Sequence, residues 1–189
     1  MNRLVIIFIV FFLCGCFKQS KKDKLVSEMR AFYGKEISFT DNLFLSKGND
    51  SILTECLTAP YKIIAYVDSV RCTPCALEKM TLWEKYTPKL EEWNISLLFI
   101  VRNSNIDEVE ETVKELQIPF PILFDLNGEF EYKNQLPADP LLRIFLLNQD
   151  NQVIFIGAPI QNEKSWTLFE KTMQQLIANK NQLPGLNKK

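Results

Sequence analysis

Two cysteines three positions apart, Cys72 and Cys75 in the stretch VRCTPCALEKM (70–80), have the type and spacing best suited to a chemical task. A Cys-x-x-Cys pair at the mouth of a helix fits thiol–disulfide exchange. Unpaired backbone N–H groups and the helix dipole favour a thiolate on the first sulfur. Three-residue spacing places the second sulfur on the same helical face. Cys72 is therefore expected to be the attacking nucleophile and Cys75 the resolving, more buried thiol. Pro74 suits the first helical turn, where its missing N–H is not needed, and Arg71 sets a cation beside Cys72. Glu78, one turn beyond Cys75, stands where it can carry a proton to and from that thiol. The same spacing also fits a solvent-facing helix residue.

The chain contains no histidine, which excludes His-ligated zinc, copper and haem and every His-based triad. Thiol–disulfide exchange does not need one: it requires a thiolate, an accessible mixed disulfide and a good leaving group. A zinc site would need four ligands, and beyond residue 16 only Cys56, Cys72 and Cys75 remain. A purely structural Cys72–Cys75 staple closes so small a loop that it would constrain little of the unfolded chain. Cys56 reads as a lone buried thiol. None of these residues calls for a cofactor, and a net charge of −1 gives no reason to expect a nucleic-acid partner.

The elements that must carry the dithiol follow from composition and pattern. Apolar residues make up 47% of the 189 positions and charged ones 24%, with 14 Phe, enough for one domain with a bulky core. Met1-Asn2-Arg3 followed by the apolar run Leu4 to Leu13 is too short to span a bilayer and has the pattern of a signal peptide. It ends in Leu13-Cys14-Gly15-Cys16, which resembles a bacterial lipobox with Cys16 as the acylated residue, and two acyl chains would attach the protein stably to a bilayer. Residues 1–15 are thus expected to be a lipoprotein signal, 16–36 a lipidated tether and linker, 37–180 the folded domain and 181–189 a flexible tail. The lysine-rich FKQSKKDK (17–24) reads as a flexible, solvated linker that can lean on anionic headgroups. The folded part would then lie outside the cytoplasm, where disulfides persist.

Along the chain, residues 25–36 predict a short helix closed by Gly34. Ile37 to Phe39 and Leu43 to Leu45 predict a β-hairpin, followed by a turn at Lys47-Gly48-Asn49-Asp50. Tyr61 to Val67 reads as a buried strand ending just before the cysteines. Cys75 to Trp93 has helical spacing, with Leu77, Met80, Leu82 or Trp83, Tyr86 and Leu90 turned inward and a break at Pro88. Ile95 to Val101 and Ile122 to Phe124 are further strands on either side of a helix over 105–117. Asn127-Gly128 supplies a turn, and no helix is apparent from Tyr132 to Asp139. Ile144 to Leu147 and Val153 to Ile156 form a hairpin, and a closing helix over 164–179 turns Trp166, Phe169, Met173, Leu176 and Ile177 inward. Strand–helix–strand–helix–strand, then a hairpin and a helix, argues for an α/β sandwich with a mixed sheet.

From about Ile37 to Leu176 the chain resembles the thioredoxin-like superfamily, specifically the membrane-tethered TlpA/ResA-like thiol–disulfide oxidoreductases of bacteria. The resemblance rests on the strand followed by CTPC (72–75), Glu78 in the frame CxxCxxE, FPILFD (120–125), and FLLN (145–148) before VIFIG (153–157). It implies a three-layer thioredoxin-like sandwich with a central mixed sheet and the N-terminal hairpin as an extension. It also implies a redox dithiol assisted by Glu78, protein thiols and disulfides as substrates, and an upstream membrane reductant or oxidant. Partner chains would then dock beside Arg71, Thr73 and Pro74, and against a cis-proline ahead of Ile144. Two features depart from that pattern. Arg71 stands where the family usually has tryptophan. The cis-proline position falls at Leu142 by alignment on Val153, so Pro140 would fill the role only through a two-residue shift. These departures keep open a second reading, a thioredoxin-fold binding or scaffold lipoprotein whose dithiol is vestigial or structural.

Overall fold

A computed structural model describes residues 20–46, 50–68 and 72–179. The signal peptide, Cys16, the centre of the 47–50 turn, Arg71 and the 181–189 tail lie outside the described residues. The core is a six-stranded mixed sheet built around β2 (Tyr61–Val67), a β-branched and aromatic run with every residue buried. β2 lies parallel to β3 (Ile95–Val101), in register Tyr61↔Ile95 through Val67↔Val101. On its other side it is antiparallel to β5 (Ile144–Leu147). β4 (Ile122–Phe124) extends the parallel part, and β6 (Val153–Ile156) completes the expected hairpin with β5. With β1 (Phe44–Leu45) the sheet order is β1-β4-β3-β2-β5-β6.

Strands covered on both faces are apolar at successive positions, and β2 and β3 are so at every position except Lys62 and Ser96. Their odd-numbered residues face one core layer, with Leu77, Met80, Trp83, Leu90, Val109, Phe169, Met173 and Leu176. These come from α3 (Thr73–Met80), α4 (Thr87–Glu92), α5 (Ile106–Glu115) and α7 (Glu163–Ala178), with Trp83 on a 3-10 turn (Thr81–Tyr86). Ile64, Tyr66, Leu98 and Ile100 face the other layer, against α1 (Lys21–Phe32), α2 (Asp50–Thr58) and α6 (Glu129–Asn134). The sandwich with a mixed sheet is therefore present. No helix among the described residues is long and apolar enough to cross a membrane.

The expected N-terminal hairpin is not formed. Its two arms lie at opposite edges of the sheet: Glu36 bridges Gln152 beside β6, whereas Phe44 and Leu45 pair with Phe124 and Leu123 of β4. The intervening chain crosses the sheet face and inserts Ile37 and Leu43 into the second core layer. Burial of those side chains, together with free pairing edges on both β4 and β6, outcompetes a local turn.

Other boundaries move for local reasons. α1 begins at Lys21, inside the stretch read as linker, because Ser20 caps it by accepting from the Asp23 N–H, and it seats Phe32 edge-on against Phe145. The stretch between the 47–50 turn and β2, to which the sequence pattern assigns no element, forms α2, and Gly128 (φ 72°) opens the unpredicted α6. The helix after the cysteines breaks ahead of Pro88, passing through the 3-10 turn before Pro88 starts α4 in its first turn. Trp83 is buried and Leu82 exposed. In α7, Ile177 is exposed, because one residue past Leu176 is about 100° around the helix.

Candidate active site

β2 delivers the chain through Asp68 to the segment that carries the dithiol, and α3 starts at Thr73 with Cys72 as its N-cap. Cys72 and Cys75 are joined in a disulfide, Cα–Cα 5.3 Å, and the Cys75 backbone N–H points at the Cys72 sulfur from 3.3 Å. That N–H is an otherwise unsatisfied donor of the first helical turn and favours negative charge on Cys72. Pro74 occupies the first turn as expected. Thr73 is buried, and its Oγ1 accepts from the Asn103 side-chain amide at 3.1 Å, which ties the first turn of α3 to the loop after β3. Leu77 and Met80, one and two turns on, are buried and press the helix onto the sheet.

Both cysteines are exposed. Cys75, expected to be the more buried thiol, belongs to the exposed residues of α3, as Cys72 does at its N-cap. Glu78 is exposed on α3, one turn from Cys75. The side chains that surround the dithiol instead form a cleft of about 250 Å³. Its lining takes the exposed Cys72, Cys75 and Lys79 and the more buried Ala76, Met80, Trp83 and Phe99, and Pro140 and Ile144 supply a rim from the segment leading into β5. Pro140 starts a 3-10 turn (Pro140–Leu142) capped by Asp139, whose carboxylate accepts from the Leu141 N–H. It lines the same cleft as the dithiol, and it is not the expected cis-proline, since there is no cis bond among the described residues. Cys56 sits apart on α2, and burial pushes its thiol up against a smaller opposing effect of its hydrogen bond with Ser96.

Beneath the same edge of the sheet lies a charge network that pattern reading did not find. The three parallel strands end in register, and each is followed at once by a charged residue: Asp68, Arg102 and Asp125. Arg143 precedes the antiparallel β5 at that edge. Its guanidinium donates to Asp68 (2.9 Å), to Glu131 of α6 (2.6 Å) and to the Pro137 carbonyl (2.8 Å). Arg102 donates to the other oxygen of Glu131 at 2.8 Å. The Tyr66 hydroxyl donates to the buried Asp125 at 2.9 Å, and burial together with the Asp125 charge raises its pKa well above the ordinary tyrosine value. Asp125 also accepts from the Phe130 and Glu131 N–H groups, so it caps α6. The signal was legible as a charged residue after each apolar run, but its partners come from segments up to 75 positions away.

No protein-family model and no curated protein matches the chain. Solved structures do. A protein from Bacteroides thetaiotaomicron proposed to be a disulfide isomerase is 15% identical, with 79% of this chain and 95% of that one covered and a TM-score of 0.55. The thioredoxin domain of a thiol-disulfide oxidoreductase from Bacteroides vulgatus is 10% identical, covering 75% and 97%, with a TM-score of 0.53. A peroxidoxin from Mycobacterium tuberculosis is 14% identical, covering 77% and 96%, with a TM-score of 0.51. At these identities the likeness establishes the fold, which is thioredoxin-like.

Proposed function

We propose that this chain is a thiol–disulfide oxidoreductase acting on disulfides of partner proteins, outside the cytoplasm and tethered by acylated Cys16. One observation carries the reading: an exposed Cys72–Cys75 disulfide caps α3 and opens onto a cleft. In the reduced protein, the Cys72 thiolate attacks one sulfur of a partner disulfide, forms a mixed disulfide and expels the partner's other sulfur as a thiolate. The Cys75 thiolate then attacks the Cys72 sulfur, restores the Cys72–Cys75 bond and releases the second partner thiol. Two electrons pass from the dithiol to the partner, and the structure holds the oxidised protein. A membrane reductant on the upstream side returns two electrons to the Cys72–Cys75 disulfide and resets the dithiol; with a membrane oxidant upstream the same steps run in reverse and oxidise partner thiols.

The chain's own residues support these steps. The Cys75 N–H lowers the cost of the Cys72 thiolate. Glu78, one turn along and open to solvent, serves as the proton carrier for Cys75. Pro74 and Pro140 form the surface against which the partner chain lies, Thr73 supports it from beneath as a buried residue bonded to Asn103, and Arg71 precedes the nucleophile in sequence. Exposed sulfurs with an adjoining cleft favour exchange over a scaffold with a vestigial dithiol, which would bury them.

The test is reduction of insulin disulfides by the dithiothreitol-reduced protein. Cys72→Ser is expected to abolish the reaction, and Cys75→Ser to accumulate a mixed disulfide on Cys72. A Cys72→Ser protein with wild-type activity overturns the proposal.

A further inference from the structure

Arg143 touches neither sulfur and does not line the cleft, yet the segments it holds do both. Its Nε binds the Pro137 carbonyl, three residues ahead of the rim residue Pro140. One terminal nitrogen binds Asp68, where the chain leaves β2 for Cys72, and the other binds Glu131. Its own carbonyl accepts from the Tyr66 N–H, so it is fixed to the sheet at both ends. The guanidinium lies 5.6 Å from the centre of the Tyr66 ring, and its side chain is only 9% exposed.

We propose that Arg143 is a positioning residue that sets the width of the cleft, by holding the Pro137–Pro140 rim against the root of the dithiol segment at Asp68. The inference rests on the exchange reading above. A planar, always-charged fork suits this task, because its donors have fixed directions and three acceptors from three chain segments are satisfied at once. An ammonium is a point charge on a flexible stem and does not reproduce that geometry. A partner polypeptide must bring its disulfide into line with Cys72 while its backbone rests on the opposite rim. A shift of that rim by about 1 Å is enough to cost up to about 100-fold. A small disulfide does not reach the rim and is insensitive to it.

The experiment compares wild type, Arg143→Met, Arg143→Lys and Asp68→Asn, each confirmed folded by circular dichroism. Each is pre-reduced and mixed with insulin or with 2-hydroxyethyl disulfide. For Arg143→Met and Arg143→Lys, the insulin concentration giving half-maximal rate is expected to rise about 10- to 100-fold. The rate with 2-hydroxyethyl disulfide is expected to fall no more than about threefold. Asp68→Asn keeps the side-chain shape and the fold if the arginine variants do not. It is expected to shift in the same direction by a smaller factor. Equal losses on both disulfides, or an Arg143→Lys protein indistinguishable from wild type on insulin, overturn the positioning role. Wild-type protein inert toward both disulfides overturns the exchange reading itself, and the two failures are thereby distinguished.

Discussion

Replacing Glu131 by glutamine isolates the ionic part of the network under the dithiol, because size and shape are kept while the charge is removed. The wild-type carboxylate accepts from Arg143 at 2.6 Å and from Arg102 at 2.8 Å. Hydrogen bonds to charged groups contribute about 1.5–3 kcal/mol each, and removing one member of a buried pair costs about 3–5 kcal/mol. The Arg102 side chain is 38% exposed, so its bond is screened and counts for about 0–1 kcal/mol. Arg143 is buried, and its bond sets the scale. Glutamine still offers one acceptor oxygen, which leaves a net loss of about 2–3 kcal/mol at pH 7. For a domain of this size that is roughly 4–12 °C in Tm.

The pH dependence supplies a second check. Burial alone would raise the Glu131 pKa, but the hydrogen bond from Arg102 and the charge of Arg143 outweigh it and hold the carboxyl below its ordinary value. A carboxyl depressed in the folded state contributes stability that is fully present above its unfolded pKa of about 4.3. That stability is lost as pH falls through the lower folded value. The difference between wild type and Glu131→Gln should therefore be constant from neutral pH down to about pH 5 and shrink below about pH 4. Urea unfolding followed by the fluorescence of Trp83, Trp93 and Trp166, with both proteins disulfide-bonded, measures it. A loss under about 0.5 kcal/mol at pH 7, or a difference that persists unchanged in acid, would refute the ionic account.

Two further substitutions probe the frame. Lys62 is 1% exposed on the central strand and donates to the Ala59 carbonyl, and burial holds its amine below the ordinary lysine pKa. Lys62→Met keeps the stem and removes the buried charge, so it is expected to stabilise by about 1–2 kcal/mol at pH 7 in urea unfolding. Because the unfolded state binds more protons in the window between the two pKa values, wild-type stability rises with alkaline pH and that gain shrinks. A destabilised Lys62→Met would show the ammonium to be net favourable. Gly128→Ala imposes φ 72° on a residue with a Cβ and brings that atom within 2.6 Å of the Arg102 guanidinium carbon. Thermal unfolding should report a loss of about 1–2 kcal/mol, with Arg102 pushed off Glu131; an unchanged Tm would contradict the contact.

The alternation of apolar runs and helical stripes in this sequence was enough to place β2, β3, β4, the β5–β6 hairpin, the closing helix and the Cys72–Cys75 dithiol at the start of a helix. Each of these is decided locally, by side-chain period, a capping position or a proline that cannot sit deeper in a helix. The N-terminal pairing was not legible, because Ile37 and Leu43 find their places on a sheet face built by residues some hundred positions later. Helical spacing puts Cys75 on the dithiol's side of α3, but that this side stays exposed is set by the seating of Leu77 and Met80 on the sheet. The charges behind the site divide in the same way. That Asp68, Arg102 and Asp125 each follow a strand is written in the order of residues. That they converge, with Arg143 and Glu131 closing the network and holding the cleft rim, follows only from strands brought into register, since a guanidinium finds acceptors by position in space and not by distance along the chain.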